Sequence, residues 1–287
     1  IAAIATGPTA TAQDVQRPAA TLATAARSSM EEVVVTARRR DESAQDIPIA
    51  LSVVSGEALE ATGTFTLAEV QRLAPSLQVF SFNPRNTNIN IRGLGSNVAV
   101  TNDGLENGVG VYIDNVYYGR PGQSQFDLID LQQVEVLRGP QGTLFGKNTT
   151  AGAINIATSK PSFEPEVKAE GSYAGEGYRQ LRTSLTGPLM DETLAYRLTL
   201  GYTERGGLVE NVHTGEDIND YVNETVRGQL LYQPRDAVEI RVIGDYSKQN
   251  INGVGNSIVG VFNHFDNGDL ISKSFTDRIN RQGYTPP

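Results

Sequence analysis

The chain has 287 residues, 39% of them apolar, and no cysteine, which excludes disulfides, thiolate catalysis and Cys-ligated zinc. A formal charge of −9, with Lys and Arg scattered, argues against a nucleic-acid partner, which needs a basic stripe. No apolar run reaches about eighteen residues, so a helical membrane protein is excluded, whereas a barrel with strands apolar on alternate residues is not.

Residues 1–12 read as the remnant of a signal peptide, with Ala10-Thr11-Ala12 as a cleavage signature. Residues 13–46 form a flexible N-terminus. Within it, 31–37 (Glu31, Glu32, Val33, Val34, Val35, Thr36, Ala37) is an extended, β-branched run with no partner strand nearby. A mixed α+β domain follows over 47–160. A strand is expected over 47–54. Ser55 caps a short helix that Gly63 closes, and Thr66-Leu67-Ala68-Glu69 is a capping box opening a second helix, stopped at Pro75. Short strands are expected over 77–80, 87–92, 109–113, 134–137 and 153–156. Between the last two lies a glycine-dense passage, with Gly139, Gly142, Gly146 and Gly152 permitting torsions closed to other residues.

After Pro161 the texture changes. Leu194, Tyr196, Leu198, Leu200 and Tyr202 alternate with Ala195, Arg197, Thr199, Gly201 and Thr203, and the same period of two returns over 226–232 and 238–246. Weaker versions run over 167–173 and 181–185. These strands have the length of about 10 residues needed to cross a bilayer at a tilt of roughly 45°. Tight turns at 187–191 and 234–236 alternate with long polar loops at 206–222 and 251–287, the topology of an outer-membrane barrel. Alternation alone also fits a soluble β-sandwich. Five strands cannot close a barrel around such a domain, so 161–287 is expected to be an incomplete wall and the chain a fragment.

Enzymatic motifs are wanting. Gly146-Lys147 lacks the remainder of a P-loop, and Gly93-Leu94-Gly95 lacks the third glycine of a dinucleotide fingerprint. His213 and His264 sit in expected loops without a second His at ligand spacing, Asp103 and Glu106 do not fit an EF-hand, and no Gly-x-Ser-x-Gly elbow occurs. No catalytic residue, metal ligand or cofactor is expected.

Four ordered segments carry a resemblance: residues 31–37, Asn90-Ile91-Arg92-Gly93-Leu94-Gly95, Val111-Tyr112-Ile113-Asp114-Asn115-Val116, and 134–156 with its Arg138-Gly139-Pro140, Leu144-Phe145-Gly146 and Gly152-Ala153-Ile154-Asn155-Ile156. In this order they resemble the marks of the TonB-dependent outer-membrane receptors. Asn115 stands where that family more often has Gly, and Asn also tolerates a left-handed turn. The resemblance implies an α+β plug domain followed by antiparallel transmembrane β-barrel strands, a partial barrel of what would be a 22-stranded plugged one. It implies a non-enzymatic, monomeric transporter of the bacterial outer membrane, in contact with lipid. Its cargo would be a scarce nutrient, a ferric siderophore or similar small-molecule or metal chelate, with the individual substrate left open. The partners would be TonB, with ExbB and ExbD. Residues 31–37 would be the TonB-binding box, Arg92 and Arg138 latches between plug and barrel, and Arg85, Asn86, Ser96, Asn97, Tyr117, Tyr118 and Arg120 substrate contacts on outward plug loops. The alternative is an exported soluble β-rich binding module without transport activity.

Overall fold

The computed structural model describes residues 33–36, 40, 42–81, 87–95, 106–120, 122, 127–211, 214–235 and 237–252. The chain divides into two units, Ile1–Pro48 and Ile49–Pro287. In the first, β1 (Val34–Val35) pairs antiparallel with β2 (Glu42–Ser43), Val34 opposite Ser43 and Val35 opposite Glu42. The Ala44 N–H extends the ladder to the Val33 carbonyl at 2.8 Å, and Arg40 meets Glu42 at 2.5 Å. The expectation that this run has no partner strand is thereby corrected. A β-branched run holds its backbone groups extended, and the returning chain satisfies one edge of them. Glu31, Glu32 and Ala37 lie outside the described residues.

The second unit begins with β3 (Leu51–Ser55), which starts later than Ile47. The Ser55 hydroxyl accepts from Ala58 N at 3.2 Å and caps α1 (Gly56–Ala61), beyond which Gly63 turns at φ 60°. In α2 (Leu67–Val70) the Glu69 carboxylate accepts from the Phe65 and Thr66 N–H groups at 2.7 and 3.0 Å. Next, β4 (Leu77–Ser81), β5 (Thr87–Ile91) and β6 (Leu94–Gly95) form a small antiparallel sheet. The main sheet takes β7 (Val109–Ile113), β8 (Val116–Tyr117), β9 (Leu131–Arg138) and, after the single turn α3 (Gly142–Phe145), β10 (Gly152–Thr158). Its order is β3-β9-β10-β7-β8, antiparallel except for the parallel pair β10–β7. Val134, Val136, Ile154 and Ile156 point to the face that meets Leu67 and Val70 in the core.

A second sheet of five antiparallel strands follows: β11 (Glu166–Tyr173), β12 (Arg179–Met190), β13 (Leu194–Arg205), β16 (Asp220–Arg235) and β17 (Val238–Asn252). Between β13 and β16, β14 (Val209–Glu210) and β15 (Asp217–Ile218) form a small hairpin, so the stretch expected as one long loop is partly ladder. The turn expected at 187–191 is also displaced. Gly187 and Pro188 stay in β12, the register shifts between Pro188 and Met190, and the chain reverses at 191–193. A register irregularity is where a strand tolerates a proline without losing a ladder bond. Ile251 and Asn252 complete β17, and 253–287 lie outside the described residues.

The polarity of this sheet is inverted relative to a water-soluble one. Gln180, Arg182, Ser184, Thr186, Arg197 and Thr203 are buried on the inner face, whereas Leu181, Val226, Ile240, Val242 and Tyr246 stand exposed on the other, Val242 at 59%. An uncovered apolar face of this extent is unfavourable in water and favourable in hydrocarbon. A soluble sandwich would instead bury such apolar faces against a second sheet, and among the described residues no second sheet lies on this face.

Gly56 opens α1 against β9 with no room for a side chain: a Cβ there would lie 2.0 Å from the Leu131 carbonyl oxygen. Gly56→Ala is expected to destabilise the chain by about 1–3 kcal/mol or more. Gly175→Ala, where a Cβ meets nothing within 4 Å, should leave the thermal unfolding midpoint unchanged.

Candidate functional site at the seam between domain and sheet

The α+β domain meets the long-stranded sheet along a polar seam. Residues 127–130 run beside β13 and present an aspartate at either end. The Asp130 carboxylate receives Arg197 Nε at 2.6 Å, Arg197 Nη2 and Thr199 Oγ1, the last at 2.6 Å. This two-pronged ion pair is almost wholly buried, with side chains 5% and 8% exposed. Asp127 accepts instead from neutral donors, Thr203 Oγ1 at 2.5 Å and Asn223 Nδ2 at 2.7 Å. Between them Ile129 reaches towards Gly201, where a Cβ would lie 2.0 Å from its Cδ1. Bare backbone on β13 is thus the socket for a side chain of the α+β domain.

A second junction lies at the tight turn after β7. Asp114 and Asn115, with φ of 47° and 66°, are the left-handed pair of that turn. The Asp114 carboxylate accepts from Thr158 N at 3.0 Å and Thr158 Oγ1 at 2.7 Å, closing β10 onto the turn, and faces Arg241 of β17 at 3.4 Å. A third contact is a stack: the Arg182 guanidinium lies 3.6 Å from the centre of the Phe65 ring. Between the junctions is a cavity of about 410 Å³, lined by Ile113, Tyr118 and Ile129 of the domain and by Thr225, Arg227 and Asp245 of the sheet.

The residues expected to bind or latch are dispersed. Arg92 is exposed in a turn with φ 55°, and Arg138 donates Nη2 to the Leu51 carbonyl at 3.0 Å. Neither forms an ion pair with a described carboxylate. Tyr117 accepts from Asn148 Nδ2 at 2.8 Å and packs on Tyr112, Tyr118 lines the cavity, and Arg120 is exposed. Arg85, Asn86, Ser96 and Asn97 lie outside the described residues. Asp127, Asp130, Arg197 and Arg241 were not singled out from the sequence. The available signal was arginine recurring on the polar side of alternating strands, which is costly unless a carboxylate waits opposite.

Burial would raise the Asp130 carboxyl, but Arg197 and Thr199 outweigh it and hold that group below the usual carboxylate range. Burial raises Asp127, against the opposing hydrogen bonds of Thr203 and Asn223. The two therefore act with opposite sign. Asp130 contributes stability above the unfolded carboxylate pKa, lost as pH falls through its depressed folded value. Asp127 contributes stability below the unfolded value, lost as pH rises through its elevated folded one. Asp127→Asn should raise the thermal midpoint at neutral pH, flatten its dependence on the acid side of neutrality, and keep the acid collapse due to Asp130. Arg197→Met alone should cost about 3–5 kcal/mol, since it strands a buried carboxylate, whereas Asp130→Asn with Arg197→Gln should cost clearly less in the same melts.

Residues 43–153 match the TonB-dependent Receptor Plug Domain family. The pesticin receptor of Yersinia pestis is 32% identical over 200 residues, covering 68% of this chain and 29% of that protein. The vitamin B12 transporter BtuB of Vibrio vulnificus is 24% identical over 258 residues, covering 89% and 41%. Among solved structures, the ferric yersiniabactin uptake receptor FyuA from Yersinia pestis superposes with a TM-score of 0.65 at 29% identity, covering 70% of this chain and 32% of that one. The chain spans between 26% and 41% of the length of the curated relatives it matches. Those relatives are receptors and transporters, not enzymes. A plug domain running directly into long strands that turn their apolar faces outward completes the correspondence, and the chain belongs to the TonB-dependent receptors of the bacterial outer membrane.

Proposed function

We propose that the intact receptor imports a scarce nutrient, a ferric siderophore or similar metal chelate, across the outer membrane, with work supplied by TonB together with ExbB and ExbD. The observation that carries this reading is a folded domain fastened by buried polar contacts to the inner face of a lipid-facing sheet. Such a domain obstructs a pore and must be disturbed before solute passes. The chelate class is supported by the similarity to a receptor named for ferric yersiniabactin uptake, while the similarity to a vitamin B12 transporter keeps cobalamin as the other candidate. The alternative of a soluble exported module would require the apolar faces of β12, β13, β16 and β17 to be covered by something other than lipid.

In this reading residues 31–37 recruit TonB by strand addition. One edge of Val34 and Val35 is taken by β2, and the opposite edge would accept the partner strand. Substrate would meet Arg85, Asn86, Ser96, Asn97, Tyr117, Tyr118 and Arg120, where tyrosine offers apolar area with a polar tip and arginine grips anionic groups. Arg92 and Arg138 would latch the plug to wall strands beyond those described. The receptor would act as a monomer.

Val34→Pro should abolish uptake of a radiolabelled substrate while leaving its binding to whole cells intact, because proline deletes a ladder donor and distorts the strand. Uptake at the wild-type rate by this variant would refute the role of 31–37. Assaying ferric siderophores and cobalamin side by side in cells lacking and regaining the receptor decides the cargo.

A further inference from the structure

Three successive carbonyls where the chain leaves the plug are each received by a different wall strand. Arg241 Nη2 of β17 donates to the Thr158 carbonyl at 3.4 Å and to Thr158 Oγ1 at 2.8 Å. Gln229 Nε2 of β16 donates to the Ser159 carbonyl at 3.1 Å. Arg197 Nη1 of β13 donates to the Lys160 carbonyl at 3.4 Å. The donors are themselves held. Gln229 Oε1 accepts from Arg241 Nε at 2.9 Å and Nη2 at 2.6 Å, while Asp130 grips Arg197 and Asp114 faces Arg241. The Ser159 N–H closes the circuit on the Asp130 carbonyl at 2.9 Å.

We infer that Arg197, Gln229 and Arg241 form a clamp on residues 158–160, fixing the exit end of the plug to the wall so that the plug stays seated under load. Covalent continuity alone would leave residues 158–165 free to swing, and the plug could be drawn out whole with the wall intact. The clamp removes that freedom, because the linker's outward carbonyls are spent on side chains from adjacent strands whose register is set by their own ladder. The two aspartates make the clamp specific: each orients an arginine that otherwise has several rotamers. These three wall residues are positioning residues, acting through the linker they hold. The inference rests on the transport reading for the origin of the load but not for the existence of the clamp.

The test separates the two. The intact receptor, held in a supported bilayer without TonB, is pulled from a handle at its N-terminal end. The last rupture, at which residues 109–160 leave the wall, is compared between wild type and Gln229→Met, and between wild type and the neutral pair Asp130→Asn with Arg197→Gln. Both variants are first shown to fold by heat-modifiable migration. The clamp predicts that the force of this last event falls roughly two-fold or more in each, since charge-assisted or buried bonds are lost. An unchanged force in both folded variants overturns it. In cells, the clamp predicts that the variants admit a bulky polar antibiotic that wild type excludes, and wild-type exclusion by both would count against it. Repeating the assay without TonB assigns the load: a leak that needs TonB supports pulling by that partner, and a leak that persists shows the clamp seating the plug at rest. Wild-type uptake independent of TonB would overturn the transport reading and leave the force result standing.

Discussion

A sheet with hydrocarbon on one side can satisfy its inward polar side chains only from the other side, and this constraint governs everything else in the chain. Every second residue of β12, β13, β16 and β17 points inward, and many are polar or charged. In an empty pore they would be wetted by water. Against the plug they are buried, and each buried donor without an acceptor carries a desolvation cost of about 1–3 kcal/mol. The plug answers with carboxylates placed opposite: Asp130 for Arg197, Asp114 for Arg241. Plug and wall are therefore not two domains that happen to touch. Each supplies what the other's buried groups lack.

The seam is not uniform, and the difference is chemical. Asp130 sits in a charged, two-pronged bond where both partners are removed from water, so its loss on one side only is severe. Asp127, about as deeply placed, has only a hydroxyl and an amide, and its carboxyl is the reluctant anion of the pair. Lys160 and Glu239, 3.0 Å apart, are both close to half exposed and add little. Strength in this seam thus follows burial and geometry rather than the count of opposite charges.

Much of the architecture was legible before any coordinates. The capping of α1 by Ser55 and of α2 through Glu69, the glycine turn at 63, and the five long alternating strands all follow from local chemistry that tertiary packing reinforces. What escaped the reading has physical reasons too. Pro188 suggested a turn because proline weakens a ladder, yet a register irregularity at that point lets the strand continue to Met190. The pairing of β1 with β2 is too short to show any period. The seam escaped because its partners lie 67 and 127 residues apart in sequence, and nothing local marks an aspartate in a loop as the counter-ion of a strand arginine. Arg92 and Arg138 drew attention because they sit inside segments that resemble family motifs, whereas Arg197 and Arg241 carry only the weaker mark of an even position in a strand.

The location of these contacts relative to the strand order then bears on how such a domain can yield. In the main sheet β3 is an edge strand bonded to β9 alone, while β10 lies between β9 and β7 and continues into the clamped linker. A force entering at the N-terminal side reaches β3 first. A force leaving through the wall must pass 158–160, where side chains from β13, β16 and β17 converge. Entry thus falls on an edge strand of the sheet, and exit on its central strand, whose continuation is held by side chains of the wall. Under the proposed transport function, a domain arranged in this way is disturbed at its entry while its exit holds, the mechanical property that reseating after each opening requires.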